Sequence, residues 1–362
     1  MPSALPRILV VNVSGIGDFV DSTAALSRLR RARPDARIVL LTSEKVLPLA
    51  TSCPFIDAAV GLPTARASAM PRLRDAARWL WRIRRILFRC PQAIWLYPVT
   101  SRRGAAFVRT LLFLAGARDS AGAVAEGVRS PFARTLPLPG LPVRQAEQFL
   151  EVVRFAVPEA AGLPDEPARP DLRLSEAARA AARAFLESGV SPGARAGPLV
   201  AVFLGGDRKT RHEDPARAGR WMSELQSSSG VRFVLLGTPG DPGIAPESGV
   251  RFLDARGRFD IPGSAALLGL ADALVTTHSA PQHIAGALGV PTVVLAGPGN
   301  IERFRPALPG EKMRILRQEV PCAPCDHDIC PRDPAGFKAC LFGIPPADIA
   351  AAVRAVLGKM SA

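Results

Sequence analysis

A glycine-containing loop that leads to an aspartate is the first candidate for chemistry in this sequence. The stretch SGIGDFVDS, residues 14–22, follows the apolar run RILVVN and places Asp18 at the start of the next helix. Gly15 and Gly17 favour a tight turn or the close approach of another molecule. A dinucleotide fingerprint would need a third glycine at position 20, where this chain has Val20. A phosphate cradle is therefore a weak interpretation, which leaves the Asp18 carboxylate to be explained; the simplest interpretation is a helix N-cap.

A second candidate is the segment THSAPQHIAGALGVPTVVLAGP, residues 277–298. It predicts the end of a strand, a helix that starts near Pro281 and stops at Gly289, and another buried strand. Main-chain N–H groups near Ser279 would point out of the helix N-terminus, where they favour an anion such as a pyrophosphate. The same pattern also fits an ordinary helix that is capped by Ser279.

Four cysteines form the pattern C-x2-C-x4-C-x9-C, at Cys322, Cys325, Cys330 and Cys340. So close a set of thiols is more typical of a metal site than of disulfides in a cytoplasmic protein. Zinc is the first expectation and iron the alternative, although the outer spacings depart from the commonest zinc patterns. Free thiols are the other interpretation. Cys53 and Cys90 are predicted to be core or incidental thiols.

Two arginine-rich segments are candidates for contacts with an acidic partner. Residues 72–90, RLRDAARWLWRIRRILFRC, predict a basic amphipathic helix. Such a helix fits a membrane surface or an acidic acceptor, and equally a core-packed helix with an arginine-rich outer face. Arg102 and Arg103 begin another predicted helix, where they meet either phosphates of a partner or solvent.

The composition predicts a protein with anionic partners. The chain of 362 residues has a formal net charge of +14, and its basic residues are mostly arginine. Part of this excess can reflect a GC-rich genome, while the rest favours phosphates, acidic lipid headgroups or nucleic acid. With one tyrosine and 6% aromatic residues, a stacking platform for single-stranded nucleic acid is disfavoured, and we expect no nucleic-acid partner.

The location is predicted from hydropathy along the chain. No run of about 18 apolar residues occurs, and MPSALPRILVVN leads directly into a strand pattern without a signal-peptide cleavage site. We therefore expect a soluble cytoplasmic protein.

The elements that position these residues alternate between buried strands and helices. The first half contains RILVVN, RIVLLT, DAAVGL and AIWLYP, and the second contains LVAVFL, RFVLLG, ALVTT and TVVLAG. Continuous apolar runs separated by helical patterns are typical of parallel strands in an α/β sheet. The pattern occurs twice, which predicts two doubly wound domains facing a cleft where ligands bind.

The domain boundary is predicted within residues 157–198, which are rich in proline and turn residues. We assign residues 1–170 to an N-terminal domain, 171–345 to a C-terminal domain, and 346–362 to a final helix that packs across both.

Together these segments resemble glycosyltransferase family 9, the heptosyltransferase family of lipopolysaccharide core assembly. The resemblance rests on ILVVNVSGIGDFVDSTAALSRLRRARPDARIVLLT, SAPQHIAGALGVPTVVLAGP and VPCAPCDHDICP, and runs from about Arg7 to about Leu357. It implies a GT-B fold and inversion at the anomeric carbon. The N-terminal domain would bind the acceptor, and the C-terminal domain would bind a nucleotide-sugar donor, commonly ADP-heptose.

The resemblance also implies roles for residues. The aspartate of the first loop is the family's proposed general base, a role that falls on Asp18. The candidate acceptor-binding residues are Ser14, Gly15, Gly17, Arg102 and Arg103. The candidate donor-binding residues are Lys209, Arg211, Thr238, Pro239, His278, Ser279, Ala280 and His283.

The basic loop GGDRKTRHEDPARAGRW, residues 205–221, would neutralise the leaving nucleoside diphosphate. The family's lysine before a tryptophan-proline pair is not cleanly reproduced here. Arg211 is the best match and Lys209 the second, with a solvated basic loop as the alternative. Because the family generally transfers sugar without a metal, a metal at the cysteines would be structural, near the rim of the cleft.

The chain departs from the family at the second helix start. Related enzymes usually carry an aspartate where this sequence has His278, and a glycine where it has Ala280. The aspartate is placed to hold hydroxyls of the donor sugar, so its loss predicts an altered donor, a local substitute or a silent enzyme.

The expected partners are a nucleotide sugar, ADP-heptose above all, and a lipopolysaccharide-core or related glycolipid. They imply a contact with the cytoplasmic face of the inner membrane. The alternatives are a relative that glycosylates a protein or a small natural product, and a silent module that binds sugar nucleotides or glycans.

Overall fold

Runs of leucine and β-branched residues form the strands of two α/β units, each with a parallel sheet. The computed structural model describes residues 6–62, 90–189, 197–325, 327–332 and 337–358. The chain divides into one unit of Met1–Arg173 and a second of Leu174–Ala362. The arginine-rich segment predicted at residues 72–90 lies outside the described residues except for Cys90.

The first unit contains a six-stranded parallel sheet. Its strands are β1 (Arg7–Asn12), β2 (Arg37–Ser43), β3 (Ala58–Leu62), β4 (Gln92–Val99), β5 (Asp119–Val124) and β6 (Arg134–Pro137). Its described helices are α1 (Ile16–Ala32), α2 (Leu47–Ala50), α3 (Arg102–Ala115), α4 (Gln145–Ala156) and α5 (Pro158–Ala161). The strands lie in the order β3-β2-β1-β4-β5-β6.

The second unit contains a sheet of the same kind. Its strands are β7 (Leu199–Phe203), β8 (Arg232–Leu235), β9 (Phe252–Asp254), β10 (Ala273–Thr277), β11 (Thr292–Leu295) and β12 (Met313–Leu316). Its described helices are α6 (Glu176–Ser188), α7 (Pro215–Ser229), α8 (Ile261–Leu268), α9 (Ala280–Leu288), α10 (Ala339–Phe342) and α11 (Pro346–Leu357). The strands lie in the order β12-β11-β10-β7-β8-β9.

Each sheet has a point where the strand order reverses, and this point positions the candidate residues. The reversal lies between the adjacent strands β1 and β4 in the first unit and between β7 and β10 in the second. Loops that leave the carboxyl ends of two such strands separate and open a crevice, which is where open α/β sheets bind ligands. The loop before Asp18 follows β1, and the segment at His278 follows β10.

Four strands of the structure were not among the sequence predictions: β5, β6, β9 and β12. The strands β6, β9 and β12 are four residues long or shorter, and β5 is built from small residues, DSAGAV. A Cβ at Gly122 in β5 would lie 2.5 Å from the Phe132 ring, so the aromatic ring takes the place of a strand side chain.

Arg28 of α1 fixes the chain that leaves the first unit. The residue is 1% exposed, and its guanidinium donates to the carbonyls of Ala160 at 2.7 Å, Leu163 at 2.7 Å and Pro164 at 3.0 Å. The Asp171 N–H donates to Thr23 Oγ1 of the same helix at 2.9 Å. The proline-rich stretch after α5 is therefore a folded part of the first unit.

The final helix α11 spans Pro346–Leu357, within the segment 346–362 that was assigned to it. Ile349, Val353 and Val356 are buried in the core of the second unit, which also holds Trp221 and Phe233. That α11 also packs across the first unit stays a prediction. None of the described helices is both long and apolar enough to cross a membrane.

Candidate functional site

The loop after β7 forms a compact basic turn, residues 205–212. A Cβ at Gly205 would lie 1.9 Å from Asp241 Oδ1, so glycine is required there. Gly206 has a φ of 151°, which also favours glycine. A 3₁₀ turn spans Lys209–Arg211, and His212 Nε2 lies 2.9 Å from the Gly206 carbonyl oxygen, which closes the loop. The turn therefore presents its basic side chains from a fixed backbone.

The basic turn lies against the start of α9. Arg211 Nη1 donates to the His278 carbonyl at 3.3 Å, and Thr277 Oγ1 donates to the Gly205 carbonyl at 2.6 Å. Arg211 is half-buried, whereas Lys209 is exposed. The structure thus brings Arg211 to the predicted anion site and leaves Lys209 on the surface of the turn.

The N-terminus of α9 is not closed by its own serine. Ser279 occupies the N-cap position without a capping side-chain bond, and its hydroxyl instead donates to the Thr277 carbonyl at 3.1 Å. Pro281 stands in the first turn, and Gly289 ends the helix with a left-handed φ of 73°. The Ser279 side chain therefore does not cap the helix. Pro281 has no N–H, and the Gln282 N–H donates to the Ser279 carbonyl at 3.2 Å, so Ala280 carries the first-turn N–H that would meet an anion.

His278 is buried behind this helix start. It is 3% exposed, and burial, with smaller contributions from Arg211 and His283, lowers its pKa to about 3. Its Nδ1 has no hydrogen-bond partner among the described residues. A Cβ at Gly299 would lie 2.2 Å from that nitrogen, so glycine makes the room for the imidazole. The ring is therefore neutral and inserted between α9 and the loop after β11.

Gln282 and His283 continue the buried polar face of α9. Gln282 Nε2 donates to the Phe304 carbonyl at 2.6 Å and lies 3.2 Å from His283 Nε2. The buried Oε1 atom of Gln282 has no hydrogen-bond partner among the described residues. His283 was predicted from its motif. The buried side chain of Gln282 and the space left by Gly299 were missed, because only the fold shows what surrounds this helix start.

The loop after β8 is held by its own aspartate. Thr238 N and Thr238 Oγ1 each lie 2.7 Å from Asp241 Oδ2, and a Cβ at Gly257 would lie 2.8 Å from the Pro239 ring. Thr238 and Pro239 are exposed. Their contact with the donor stays a prediction. The loop that would make this contact is held in its shape by Asp241.

The four cysteines of the second unit line one cavity of about 20 Å³, together with Thr210 and Pro298. Burial raises the pKa of the Cys340 thiol, and the other three thiols raise it further. The Lys338 N–H donates to Cys330 Sγ at 3.4 Å. The donor set therefore fits a tetrathiolate centre. Among the described residues, no group of three His, Cys, Asp or Glu side chains is already arranged to bind a metal ion. The four cysteines therefore line one cavity, but their thiols do not converge on one position.

In the first unit, the loop after β1 surrounds the Asp18 carboxylate. The Gly15 N–H donates to Asp18 Oδ2 at 3.1 Å, and Asn12 Nδ2 donates to the Asp18 carbonyl at 3.3 Å. Ser14 Oγ donates to Asn12 Oδ1, and Gly17 is buried in the first turn of α1. Asn12 is wholly buried and was missed by the sequence reasoning, although a polar residue that ends an apolar strand is a usable signal.

Arg102 and Arg103 are exposed at the start of α3, which Ser101 caps by accepting from the Gly104 N–H at 3.1 Å. They follow β4, which pairs with β1 in the sheet, and their predicted contact with the acceptor stays a prediction. The first unit thus carries the half-buried Asp18 carboxylate, and the second carries Arg211 beside the start of α9.

Solved structures share this architecture. A glycosyltransferase family 9 protein from Veillonella parvula has a TM-score of 0.76 at 19% identity, with 99% of each chain covered. The ADP-heptose lipopolysaccharide heptosyltransferase II of Escherichia coli has a TM-score of 0.73 at 17% identity, with 98% of this chain and 100% of that chain covered. The iron-containing dodecameric glycosyltransferase TibC of enterotoxigenic E. coli has a TM-score of 0.57 at 14% identity, with 98% and 76% covered. These likenesses show that the chain has the two-domain GT-B fold.

Sequence comparison adds the family. No curated protein sequence matches this chain significantly. The family model described as glycosyltransferase family 9 (heptosyltransferase) matches residues 141–335, more than half of the chain. The chain therefore belongs to glycosyltransferase family 9 and is a glycosyltransferase.

Proposed function

We propose that this chain is an inverting, metal-independent heptosyltransferase. Its donor is a nucleoside-diphosphate sugar, ADP-heptose in the first instance, and its acceptor is a hydroxyl of a lipopolysaccharide-core or related surface glycolipid. The observation that carries the proposal is the contact between Arg211 and the start of α9 at His278, 3.3 Å long. It unites a guanidinium with a helix N-terminus inside the region that matches the family model.

The donor side follows from the charge at this site. A helix N-terminus and a guanidinium both stabilise negative charge, and that charge grows on the diphosphate as its bond to the sugar breaks. His278 adds no charge, because burial lowers its pKa to about 3. Arg211 and the N-terminal dipole of α9 would thus take the role that a divalent cation has in other transferases, which supports the metal-independent proposal.

The acceptor side rests on Asp18. The acceptor oxygen attacks the anomeric carbon, its proton passes to the Asp18 carboxylate, and the electron pair of the breaking C–O bond leaves with the diphosphate. This direct displacement inverts the anomeric centre. The Gly15 N–H at 3.1 Å and the helix N-terminus both favour the ionised carboxylate that such a base requires.

A membrane-bound acceptor is supported by the outer face of α3. Phe113 is 83% exposed and Phe107 is 48% exposed. They share the helix with the exposed Arg102, Arg103 and Arg109, and its sequence RRGAAFVRTLLFLA has no acidic residue. Aromatic side chains among arginines match a surface of anionic headgroups. The proposed location is accordingly the cytoplasmic face of the inner membrane.

The donor class is tested by thermal shift with ADP-, GDP-, UDP- and dTDP-sugars. A ligand present at 100 times its Kd stabilises the native state by about 2.7 kcal/mol. We expect ADP-heptose to shift the melting temperature most. A shift with none of these nucleotide sugars would contradict the donor proposal.

Transfer is measured separately, with a lipopolysaccharide-core acceptor in the presence and absence of EDTA. Product with an inverted anomeric centre is expected under both conditions. Donor binding without transfer or hydrolysis would identify a silent binding module. Rescue of a folded, EDTA-treated enzyme specifically by magnesium or manganese would contradict the metal-independent mechanism.

We also propose that the cysteine cavity binds one structural zinc or iron. Cys322, Cys325, Cys330 and Cys340 would be its ligands, and the ion would couple local folding to thiolate ligation. The proposal is supported by the shared cavity and the N–H···S bond from Lys338. Catalysis needs nothing from this ion.

A further inference from the structure

The segment that carries the four cysteines also holds the basic turn. Three contacts join the cysteine segment, defined here as residues 320–325, 327–332 and 337–342, to residues 205–212. Thr210 Oγ1 donates to the His327 carbonyl at 2.6 Å. Lys338 Nζ donates to the His212 carbonyl at 3.0 Å, and Arg208 Nε lies 3.3 Å from Asp328 Oδ1.

The contacts differ in their expected strength. The Arg208 pair has an exposed carboxylate, 82% accessible, and such surface pairs contribute little. Thr210 is 4% exposed and Lys338 is 9% exposed. Because buried polar groups lose much more when a partner is removed, the bonds of Thr210 and Lys338 are the ones that hold the turn.

The cysteine segment also contacts the loop after β11, which packs on His278. The Cys325 N–H donates to the Pro298 carbonyl at 3.0 Å. The next residue, Gly299, gives His278 its room, since a Cβ there would lie 2.2 Å from Nδ1. One segment therefore touches the backbone that carries Arg211 and the backbone that packs on His278.

The thiols themselves are part of this connection. Thr210 and Pro298 line the same cavity as the four cysteines. Lys338 adopts a left-handed φ of 49°, a conformation that is unfavourable for a non-glycine residue. Its N–H binds Cys330 Sγ while its Nζ binds the turn. A displacement of Cys330 would consequently move the residue that supports His212.

We propose that the cysteine segment positions the basic turn, with Thr210 and Lys338 as the positioning residues. Displacement or removal of one of the four thiols therefore changes the affinity of the turn for a nucleoside diphosphate. The affinity part of this statement rests on the proposed donor site. The positioning part concerns only the backbone of residues 205–212 and holds for the protein without ligand.

The first experiment measures amide hydrogen exchange of residues 205–212 and the ADP affinity by calorimetry in the Thr210→Val and Thr210→Ser variants. Valine removes the hydroxyl that reaches His327 and keeps the shape, whereas serine keeps the hydroxyl. We expect faster exchange and about three- to tenfold weaker ADP binding for valine, and recovery toward wild type for serine.

A matched control is Thr292→Val. Thr292 is also a buried threonine in the second unit, and its hydroxyl donates to the Val290 carbonyl at 2.9 Å, away from the turn and the cysteines. This variant should leave exchange at residues 205–212 unchanged. Equal exchange in the Thr210→Val and Thr292→Val proteins would overturn the positioning role.

The contribution of the thiols is tested with Cys330→Ser. Faster exchange at residues 205–212 and weaker ADP binding are expected, and wild-type exchange in the folded variant would overturn the link between thiols and turn. If Cys330→Ser does not fold, the comparison of Thr210→Val with Thr210→Ser still tests whether the cysteine segment positions the turn. If the wild-type chain binds no ADP, the proposed donor fails, while the exchange data still test the positioning independently.

Discussion

The guanidinium of Arg211 donates to the main-chain carbonyl of His278 at a distance of 3.3 Å. The bond joins the loop after β7 to the start of α9 at the point where the strand order of the second sheet reverses. It holds a cation next to a helix N-terminus, and two sources of positive potential side by side favour an anion between them. This relationship is the reason to treat the two loops as one site.

We expect Asp18→Asn to lower the transfer rate by about 10² to 10⁴, the usual effect of losing a general base. Asparagine keeps an oxygen that can accept from the Gly15 N–H, now 3.1 Å away, so the helix start should survive. Donor affinity should be nearly unchanged, because the candidate donor residues lie in the second unit. Steady-state kinetics and ADP calorimetry check both statements.

The capping role of Asp18 is separated by comparing Asp18→Asn with Asp18→Ala. Only alanine removes the acceptor of the Gly15 bond, and loss of such a cap costs about 0.5–2 kcal/mol of stability. Turnover above about a tenth of wild type in the asparagine variant would remove Asp18 from the mechanism.

His278→Asp should change the order of preference among nucleotide sugars. A carboxylate at this position would stand near the Arg211 charge, which already contributes to the low pKa of His278, and would offer a charged acceptor for hydroxyl groups. We expect the activity ratio of at least two donors to change about tenfold, equivalent to about 1.4 kcal/mol. His278→Asn is the control that removes the imidazole without adding charge. A uniform change across all donors would leave His278 without a role in specificity.

His278 should also make the protein sensitive to mild acid. Its pKa is near 6.5 in the unfolded chain and is lowered to about 3 by burial in the folded one. Between these values the unfolded state binds a proton that the native state does not. The free energy of unfolding therefore falls by up to about 1.4 kcal/mol for each pH unit from 6.5 down to 3, with no contribution above this window.

Urea unfolding at pH 7, 6 and 5 measures this slope. His278→Asn should reduce it, because the variant removes the imidazole whose pKa is lowered by burial. An unchanged slope in the His278 variant would show that the ring is solvated or paired in solution.

Freshly purified protein should contain about one zinc or iron ion per chain, as measured by elemental analysis. Cys322→Ser should lose the metal and melt at a lower temperature, since thiolate ligation couples to local folding. Cys90→Ser is the control, because Cys90 is a buried thiol of the first unit. Absence of metal together with four titratable thiols would establish the free-thiol alternative.

Periodicity predicted the parts of the fold that depend on long apolar runs. The strands β1, β2, β7 and β10 and the helix α9 follow such runs and were predicted. The strand β5 was missed, because its small residues pack through the Phe132 ring rather than through their own side chains. Local patterns cannot represent a strand whose stability comes from a neighbour in space.

The candidate site shows the same limit. The motif predicted the helix start at Ser279, and the basic loop predicted Arg211. The bond from Thr210 to the His327 carbonyl joins residues 117 positions apart, and a main-chain acceptor leaves no residue type to recognise. The burial of His278 was also unpredictable, since it depends on the missing side chain of Gly299.

The three carbonyls that accept from Arg28 determine where the first unit can be joined to the second unit of another protein in a chimera. A chimera that exchanged the first unit up to Val157 would leave a buried guanidinium without its acceptors, at about 1.5–3 kcal/mol for each hydrogen bond to a charged group. The stretch up to Asp171 must travel with α1, because its N–H is bound to Thr23. The exchangeable module of this chain therefore ends near Arg173, and the proline-rich stretch that resembles a linker in the sequence is inherited as part of it.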